Sequence, residues 1–276
     1  MSGDGVFNMD WERFEQVVRH GWDIHPSLLV AIGGLVVLYA VAARYGRRRL
    51  QKRVTGSQVA WFSAGILTLV FALQSPLHHL ADQYLFSAHM VQHKLLILVA
   101  APLLLLGTPG WFVMALPWPR WVARFAHSRA YPLVAFGAFN MFFALAHMPA
   151  IYDGLFGREL VHRATHILIL LGAVITWLPL LSPAPERLPR LSQPAQMLYC
   201  FAQSVPGALV GSLLSLAGFV LYRHYLRGPL ELGVSPVADQ QLGGLLMWVI
   251  GGTFWLVAMT VIFFMWADRE EARAYR

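Results

Sequence analysis

The sequence predicts an all-α integral membrane protein, a bundle of seven transmembrane helices that forms one membrane domain over residues 1–276. Apolar residues make up 57% of the chain, and charged residues only 13%. The apolar residues occur in long runs of about 20, which is the length that crosses the hydrocarbon core of a bilayer as a helix. The polar connections between these runs are too short to form a separate soluble domain.

The seven predicted spans follow one another along the chain near residues 27–45, 58–76, 84–107, 131–149, 159–181, 195–221 and 240–266. Helix-breaking residues mark several ends: Pro26 precedes the first span, Pro76 ends the second and Pro109 follows the third. The first 25 residues are polar and mixed in charge, unlike a cleavable signal peptide. Within them, Asp10 is placed to cap a short amphipathic helix on the membrane surface.

The distribution of Lys and Arg predicts the orientation of the bundle. Basic residues crowd the first connection at 44–53, and alternate connections continue this bias at 120–129, 187–190 and 269–276. Basic residues near span ends are retained in the cytoplasm, so we expect an extracellular amino terminus and a cytoplasmic carboxyl terminus. Fewer basic residues fall on the opposite side, namely Arg13, Arg19, Arg158, Arg163, Arg223 and Arg227. The net charge of +7 therefore reflects topology and does not indicate a nucleic-acid partner.

Histidines on three spans are predicted to lie at similar depth near the outer face. His89 and His93 are four residues apart on the third span, and so are His162 and His166 on the fifth. This step places two imidazoles on one side of a helix. At about 1.5 Å per residue, the first pair lies roughly 7 and 13 Å below the outer end and the second roughly 4 and 10 Å. His147, close to the outer end of the fourth span, is a fifth candidate.

The histidines favour a metal or cofactor site over simple structural roles. A single intramembrane histidine often only forms a hydrogen bond to a neighbouring helix, but two pairs at ligand spacing and matching depth favour a shared site. Imidazole binds copper, zinc, iron and nickel, so the residue type does not select the ion, and the pattern is equally consistent with separate sites for the two pairs. Cys200 is predicted near the inner end of the sixth span, far from the histidines. Met247 in the seventh span is at a suitable depth for an additional thioether ligand.

Other polar residues are candidates for supporting the ligands. Asp153 and Asp239 border the same end of the bundle, as Asp82 does, and each is either a helix cap or a partner that fixes the tautomer of a ligand histidine. Gln92 has the same two interpretations. Lys94 is predicted near the middle of the third span, where a cation is costly without a partner or water. It either extends toward the interface or tunes the histidine site.

Several motifs resemble those of the multi-span CtaG family of cytochrome c oxidase assembly proteins. The most specific is the histidine-rich third span, and the resemblance covers nearly all seven spans. The matching stretches are SPL at 75–77, FSAHMVQH at 86–93, APLL at 101–104, GTP at 107–109, WLP at 177–179 and DQQLGG at 239–244. His147 with the YD pair at 152–153, and the pair His162 and His166, also match.

The resemblance implies a multi-pass protein of the bacterial cytoplasmic membrane that helps to assemble haem-copper oxidases. It implies that copper binds to His89, His93, His162 and His166, with His147 as a fifth candidate, and passes to the oxidase catalytic subunit. A periplasmic copper donor is a further expected partner, besides the lipid bilayer. We expect a binding and transfer protein, and not an enzyme, and the sequence is equally consistent with a monomer and a homodimer.

Two other function classes remain open. A membrane haem protein uses histidines on facing helices as axial ligands, although each predicted pair would leave one histidine spare. An ion or proton transporter uses histidines and an intramembrane lysine as a relay. A membrane hydrolase is disfavoured, because the sequence lacks a motif such as His-Glu-x-x-His that joins metal ligands to a general base.

Overall fold

A computed structural model describes residues 9–22, 24–156 and 159–275 of the chain. It confirms the predicted all-helical fold class, with 82% helix and no β-strand among the described residues. In chain order the helices are α1 (Trp11–His20), α2 (Pro26–Leu50), α3 (Gly56–Gln74), α4 (76–84), α5 (Phe86–Gly107), α6 (Gly110–Ala115), α7 (Arg120–Ala126), α8 (Ala130–Ala146), α9 (Pro149–Phe156), α10 (Glu159–Leu181), α11 (Gln193–Leu216), α12 (Gly228–Glu231) and α13 (Pro236–Ala274).

Six of these helices are long and apolar enough to cross a membrane, and the described residues give seven when a bent pair is counted as one span. The six are α2, α3, α5, α10, α11 and α13. The bent pair consists of α7 and α8, which meet at 92°. The predicted fourth span at 131–149 therefore corresponds to α8, which is shorter and ends at Ala146. The last helix is longer than predicted and runs for 39 residues.

Local capping confirms the predicted short helix before the first span, while its position on the membrane surface stays a prediction. Asp10 Oδ1 accepts a hydrogen bond from the Arg13 backbone N–H at 2.9 Å, which satisfies one of the free donors at the start of α1. The orientation of the termini relative to the membrane stays a prediction, and Arg158, which was assigned to the outer face, lies outside the described residues.

Helix α5 occupies the centre of the bundle. Its most apolar stretch is 56% buried inside the protein, the largest share among the six long helices. It packs against α3, α10 and α13, and its lower half contributes Leu96, Ala100 and Ala101 to the main apolar core. A side chain on α5 can therefore meet side chains from several helices at once, which is the requirement for a shared ligand site.

Wide π-helical turns interrupt two of the central helices near the histidines. Helix α5 is α-helical from Phe86 to Lys94 and π-helical over Leu95–Ala100, while α13 is π-helical over Leu246–Ile250. Such turns are rare and frequently occur at functional sites. In α5 the change begins directly after the histidine pair, so the histidines and the core residues below them follow different helical registers.

Glycines allow α11 and α13 to approach closely beside α5. A Cβ atom built on Gly244 would lie 2.6 Å from the carbonyl oxygen of Gly211, and one built on Gly211 would lie 2.6 Å from that of Gly244. No larger residue fits at either position without separating the helices. This contact agrees with the general use of small residues at helix interfaces in membranes.

Candidate metal centre

Three of the predicted histidines meet in the interior of the bundle. One ring nitrogen each from His89 and His93 of α5 and His166 of α10 lie within 4.8 Å of one another. These three side chains, which we name the histidine triad, are 2–4% exposed. The ligand atoms of one metal ion, at bond lengths of about 2.0–2.1 Å, are separated by roughly 3.5 Å. The limit of 4.8 Å exceeds this separation, so the rings would have to rotate or shift to place the three nitrogens on a common ion.

His93 is the least satisfied member of the triad. Both of its ring nitrogens are buried, and neither has a hydrogen-bond partner among the described residues. A buried polar atom without a partner costs about 1–3 kcal/mol, so proteins rarely retain one without a compensating role. The ring packs 4.2 Å from that of His89, as expected for a four-residue step on one helix.

Gln92 fixes the orientation of His166. Its side-chain oxygen accepts a hydrogen bond from His166 Nε2 at 3.2 Å, while its amide nitrogen donates to the Ala72 carbonyl oxygen and to His78 Nδ1, both at 2.8 Å. With the proton on Nε2, the lone pair of His166 is on Nδ1, which is buried and has no partner in the described part of the chain. A histidine whose second nitrogen is held in this way is the usual form of a metal ligand.

His78 completes this network from α4. Because its Nδ1 accepts from Gln92, the ring carries a single proton on Nε2. Burial lowers the pKa of His78 to about 4, since desolvation disfavours the charged form. His78 is therefore neutral at pH 7, which is the form that the hydrogen bond from Gln92 requires.

His147 lies beside the triad at the end of α8. Its ring is 6.1 Å from that of His93, and its Nδ1 donates to the Phe143 carbonyl oxygen at 2.7 Å. Nε2 is thereby left with a lone pair, and this buried atom has no partner among the residues that the structure describes. The side chain thus has the tautomer of a ligand, although it is farther from the other nitrogens than the triad members are from one another.

His162 connects the triad to the surface. It lies one helical turn before His166 on α10, with its ring 4.6 Å from that of His166 and 5.5 Å from that of His89. Its Nε2 lies 3.3 Å from Oδ1 of Asp82 in α4. The structure thus brings both predicted pairs together, with His162 on the outer side of the cluster.

Asp239 contacts the start of α5 and not a histidine. Its carboxylate accepts hydrogen bonds from the backbone N–H of Phe86 at 2.6 Å and of Ser87 at 3.2 Å, and also from the Ser87 hydroxyl. It is 1% exposed. Asp239 therefore caps the histidine-bearing helix from α13, where a negative charge also favours the positive end of the helix dipole.

Two further sequence candidates are directed elsewhere. The Asp153 carboxylate accepts a hydrogen bond from the His224 backbone N–H at 3.4 Å. Met247 is 1% exposed and belongs to an apolar cluster with Met90 and Phe86. Its position is explained by packing between α5 and α13.

Lys94 lines a small cavity in the interior of the bundle. The cavity measures about 30 Å³ and is also lined by Asn140 and Gln203, which form a hydrogen bond of 2.9 Å with each other. Lys94 Nζ lies 5.9 Å from the centre of the Phe143 ring, within the range of a cation–π contact. The amine thus lies near an aromatic face, in a cavity that two amide side chains also line.

An aromatic cluster above the triad was not anticipated from the sequence. The Tyr152 ring lies 4.1 Å from that of Tyr222, tilted by 32°, and 6.0 Å from the His89 ring, and the Phe86 ring lies 4.9 Å from that of Tyr222. Tyr222 also donates to the backbone oxygen of His147 at 2.9 Å. These residues come from distant loops and helix ends; Phe86 and Tyr152 lie in the motifs at 86–93 and 152–153, whereas Tyr222 gave no sequence signal.

Residues 37–269 match the family model described as cytochrome c oxidase caa3 assembly factor, Caa3_CtaG. The chain belongs to the caa3 assembly factor family. The matched range contains the histidine triad together with His147, His162 and Asp82. It includes all seven predicted spans apart from the start of the first.

Curated proteins that are similar to this member of the caa3 assembly factor family occur in mycobacteria. Uncharacterized proteins of Mycobacterium bovis and Mycobacterium tuberculosis are each 26% identical over 269 residues, which is 90% of this chain and 40% of theirs. One from Mycobacterium leprae is 26% identical over 240 residues, which is 80% of this chain and 36% of its own length. The chain thus spans about two-fifths of the curated relatives it matches. No solved structure matches it significantly.

Proposed function

We propose that the protein binds a copper ion at the histidine triad and passes it to the catalytic subunit of a haem-copper oxidase during assembly. The observation that carries this proposal is His93, whose two buried ring nitrogens lack partners among the described residues although other imidazole donors are nearby. Membership of an oxidase assembly family supports copper among the ions that imidazole binds.

The chemistry of the triad suits a carrier. Neutral imidazoles add no net charge, so a bound copper ion keeps its own charge in a site of low dielectric and is held less tightly than by thiolates. Three nitrogens also leave coordination positions open, and His147 Nε2 is close enough to contribute to one of them after a small movement. Open positions are needed to exchange an ion with a partner, and we assign no catalytic reaction to the site.

The location follows from the predicted topology. We place the protein in the bacterial cytoplasmic membrane with the histidine end outward, where a periplasmic donor supplies copper and the oxidase subunit receives it. The positively charged connections at 44–53 and 120–129 support this orientation.

The first test is copper binding by a His93→Leu variant in detergent or nanodiscs. We expect the wild type to retain copper after dialysis and the variant to lose it, because one of three ligands is removed. The same change replaces an unpartnered buried imidazole by an apolar side chain, so we expect the metal-free variant to unfold at an equal or higher temperature than the metal-free wild type. Metal analysis and thermal unfolding measure the two effects.

Two comparisons make this test decisive. His127→Ala, which removes an exposed histidine that only bonds to the Ala123 carbonyl oxygen, serves as the control and should retain copper. Copper content equal to that of the wild type in His93→Leu would refute the site. In cells grown with little copper, His93→Leu should lower oxidase activity while the oxidase polypeptide is still present. A strong Soret band in the purified wild type would instead support the haem-protein alternative.

A further inference from the structure

Asp82 and His162 form a line of metal-binding side chains that leads from the surface of the bundle to the histidine triad. The Asp82 side chain is 29% exposed and that of His162 is 7% exposed. His166, one turn farther along α10, is 2% exposed. Exposure therefore decreases in steps from a partly exposed carboxylate to the buried imidazoles.

The geometry of the first two residues suits a shared ion. Asp82 Oδ1 and His162 Nε2 are 3.3 Å apart. Two ligands bound to one tetrahedral ion at about 2.0–2.1 Å are separated by about 3.3 Å, so the pair already has the separation that an ion between them requires. The pair supplies two protein ligands, fewer than the triad, and water must complete the coordination. An ion at this position is therefore held more weakly than at the triad.

Neighbouring residues hold the carboxylate in this position. Asp82 Oδ2 accepts a hydrogen bond from the Gln83 side-chain amide at 2.7 Å. The backbone oxygen of Asp82 accepts from His224 Nε2 at 2.6 Å. These contacts use the other oxygens of the residue, so Oδ1 is the one directed at His162.

We infer that Asp82 and His162 form an outer exchange site at which copper stops on its way into and out of the triad. This inference rests on the proposed function and adds the route of the ion to it. The His162 ring lies 4.6 Å from His166 and 5.5 Å from His89, so the same imidazole is adjacent to both stops.

The inward step is a ligand exchange. Copper loses its bonds to Asp82 Oδ1 and to the water molecules that complete its coordination. It gains bonds to the lone pairs of His166 Nδ1 and of the other two triad imidazoles. His162 is the last outer ligand to dissociate. The waters return to solvent, the carboxylate is again solvated, and the ion keeps its oxidation state. Copper binding at the outer site displaces the proton that lies between His162 Nε2 and Asp82 Oδ1 in the empty site, and this proton passes to solvent. A proton from solvent returns to His162 Nε2 once copper has moved inward, and the triad imidazoles donate lone pairs. Release of copper is the reverse sequence.

The carboxylate has a specific role in this sequence. A cation that leaves water for the interior of a membrane protein loses hydration energy, and a negative charge at the boundary offsets part of that loss. Asp82 lowers the barrier in both directions without contacting the ion in its resting position. Its removal is therefore expected to slow loading and release together and to leave the affinity of the triad unchanged.

The test measures copper exchange of the full-length protein in nanodiscs under anaerobic conditions. Cu(I) is supplied from, and later withdrawn by, the chromogenic chelator bicinchoninate, for the wild type, Asp82→Asn and the control Asp153→Asn. Asp153 is a half-buried carboxylate at the same end of the bundle that contacts a backbone N–H of another loop. We expect Asp82→Asn to slow both rates by about tenfold, equivalent to about 1.4 kcal/mol in the barrier, at unchanged affinity. Asp153→Asn should exchange as the wild type does.

The possible results separate this inference from the proposed function. Wild-type exchange rates in Asp82→Asn would overturn the outer site while leaving copper binding at the triad intact. Loss of equilibrium binding in Asp82→Asn would also overturn it, since Asp82 would then belong to the resting site. Asp82→Glu, which keeps the carboxylate, should restore fast exchange, and His162→Gln should slow it; these variants decide the matter if Asp82→Asn does not fold. Failure of the wild type to bind Cu(I) would refute the proposed function itself.

Discussion

Gln92 links three helices through a single side chain. Its amide bonds to the end of α3 at Ala72, to α4 at His78 and to α10 at His166, and it is fully buried. The amide oxygen and both N–H groups of the side chain take part in these hydrogen bonds, so the amide has one orientation. That orientation in turn determines which nitrogen of His166 carries the proton.

We predict that Gln92→Leu weakens copper binding. Leucine has a similar size but accepts no hydrogen bond, so His166 is free to rotate and to change tautomer, and loss of such a supporting partner typically lowers metal affinity by about 10–100-fold. Competition with a chromogenic chelator measures the affinity. Gln241→Leu is the matched control, since that amide donates to the Ala217 carbonyl oxygen away from the triad. Equal affinities of Gln92→Leu and the wild type would show that His166 does not depend on the amide.

At the level of elements, α5 is held at both ends of its histidine segment. Asp239 of α13 binds the free backbone N–H groups of its first turn, and the π-helical turn that begins at Leu95 packs into the apolar core. The two histidines between these points are therefore carried by a helix with little freedom to slide or rotate. Rigid support of this kind is what a preformed ligand site requires.

Asp239→Asn should lower the stability of the metal-free protein. The buried carboxylate accepts charge-assisted hydrogen bonds from α5, and an amide supplies only one accepting oxygen without charge, so we expect a loss of about 1–3 kcal/mol. Thermal or denaturant unfolding of metal-free protein measures it, with Asp153→Asn as the control for removing a carboxylate at this end of the bundle. If Asp239→Asn lost copper while its metal-free stability stayed at the wild-type value, the residue would act on a ligand and not as a cap.

For the whole molecule, the apolar runs predicted the spans because each helix must be long enough to cross the hydrocarbon core and must satisfy its backbone hydrogen bonds within itself. The α7–α8 bend and the extension of α13 to Ala274 were not predictable in this way, since a bilayer-length window is insensitive to a bend beside a span and to polar helix beyond it. The histidine pairs were visible because side chains on one face of a helix recur at fixed spacing.

The supporting residues were harder to identify because their partners are distant in sequence. Gln92 reaches His166 across 74 positions, and Asp239 reaches Phe86 across 153. Spacing on one helix carries no information about which other helix is adjacent. Both residues were therefore recognised as candidates by type and depth, while their actual partners required the three-dimensional arrangement of α3, α5, α10 and α13.

Under the proposed function, the orientation of the whole bundle decides which compartment would supply copper to the triad. We predict that position 12 is outside and position 52 inside, because the basic cluster at 44–53 follows the first span. In a Cys200→Ser background, Glu12→Cys should react with a membrane-impermeant maleimide in intact spheroplasts, and Lys52→Cys only after permeabilisation. Both native side chains are exposed, so protein burial does not limit the reaction, whereas Cys200 is fully buried. The reverse labelling pattern would place Asp82 and the triad at the cytoplasmic face, and copper would then have to come from cytoplasmic donors.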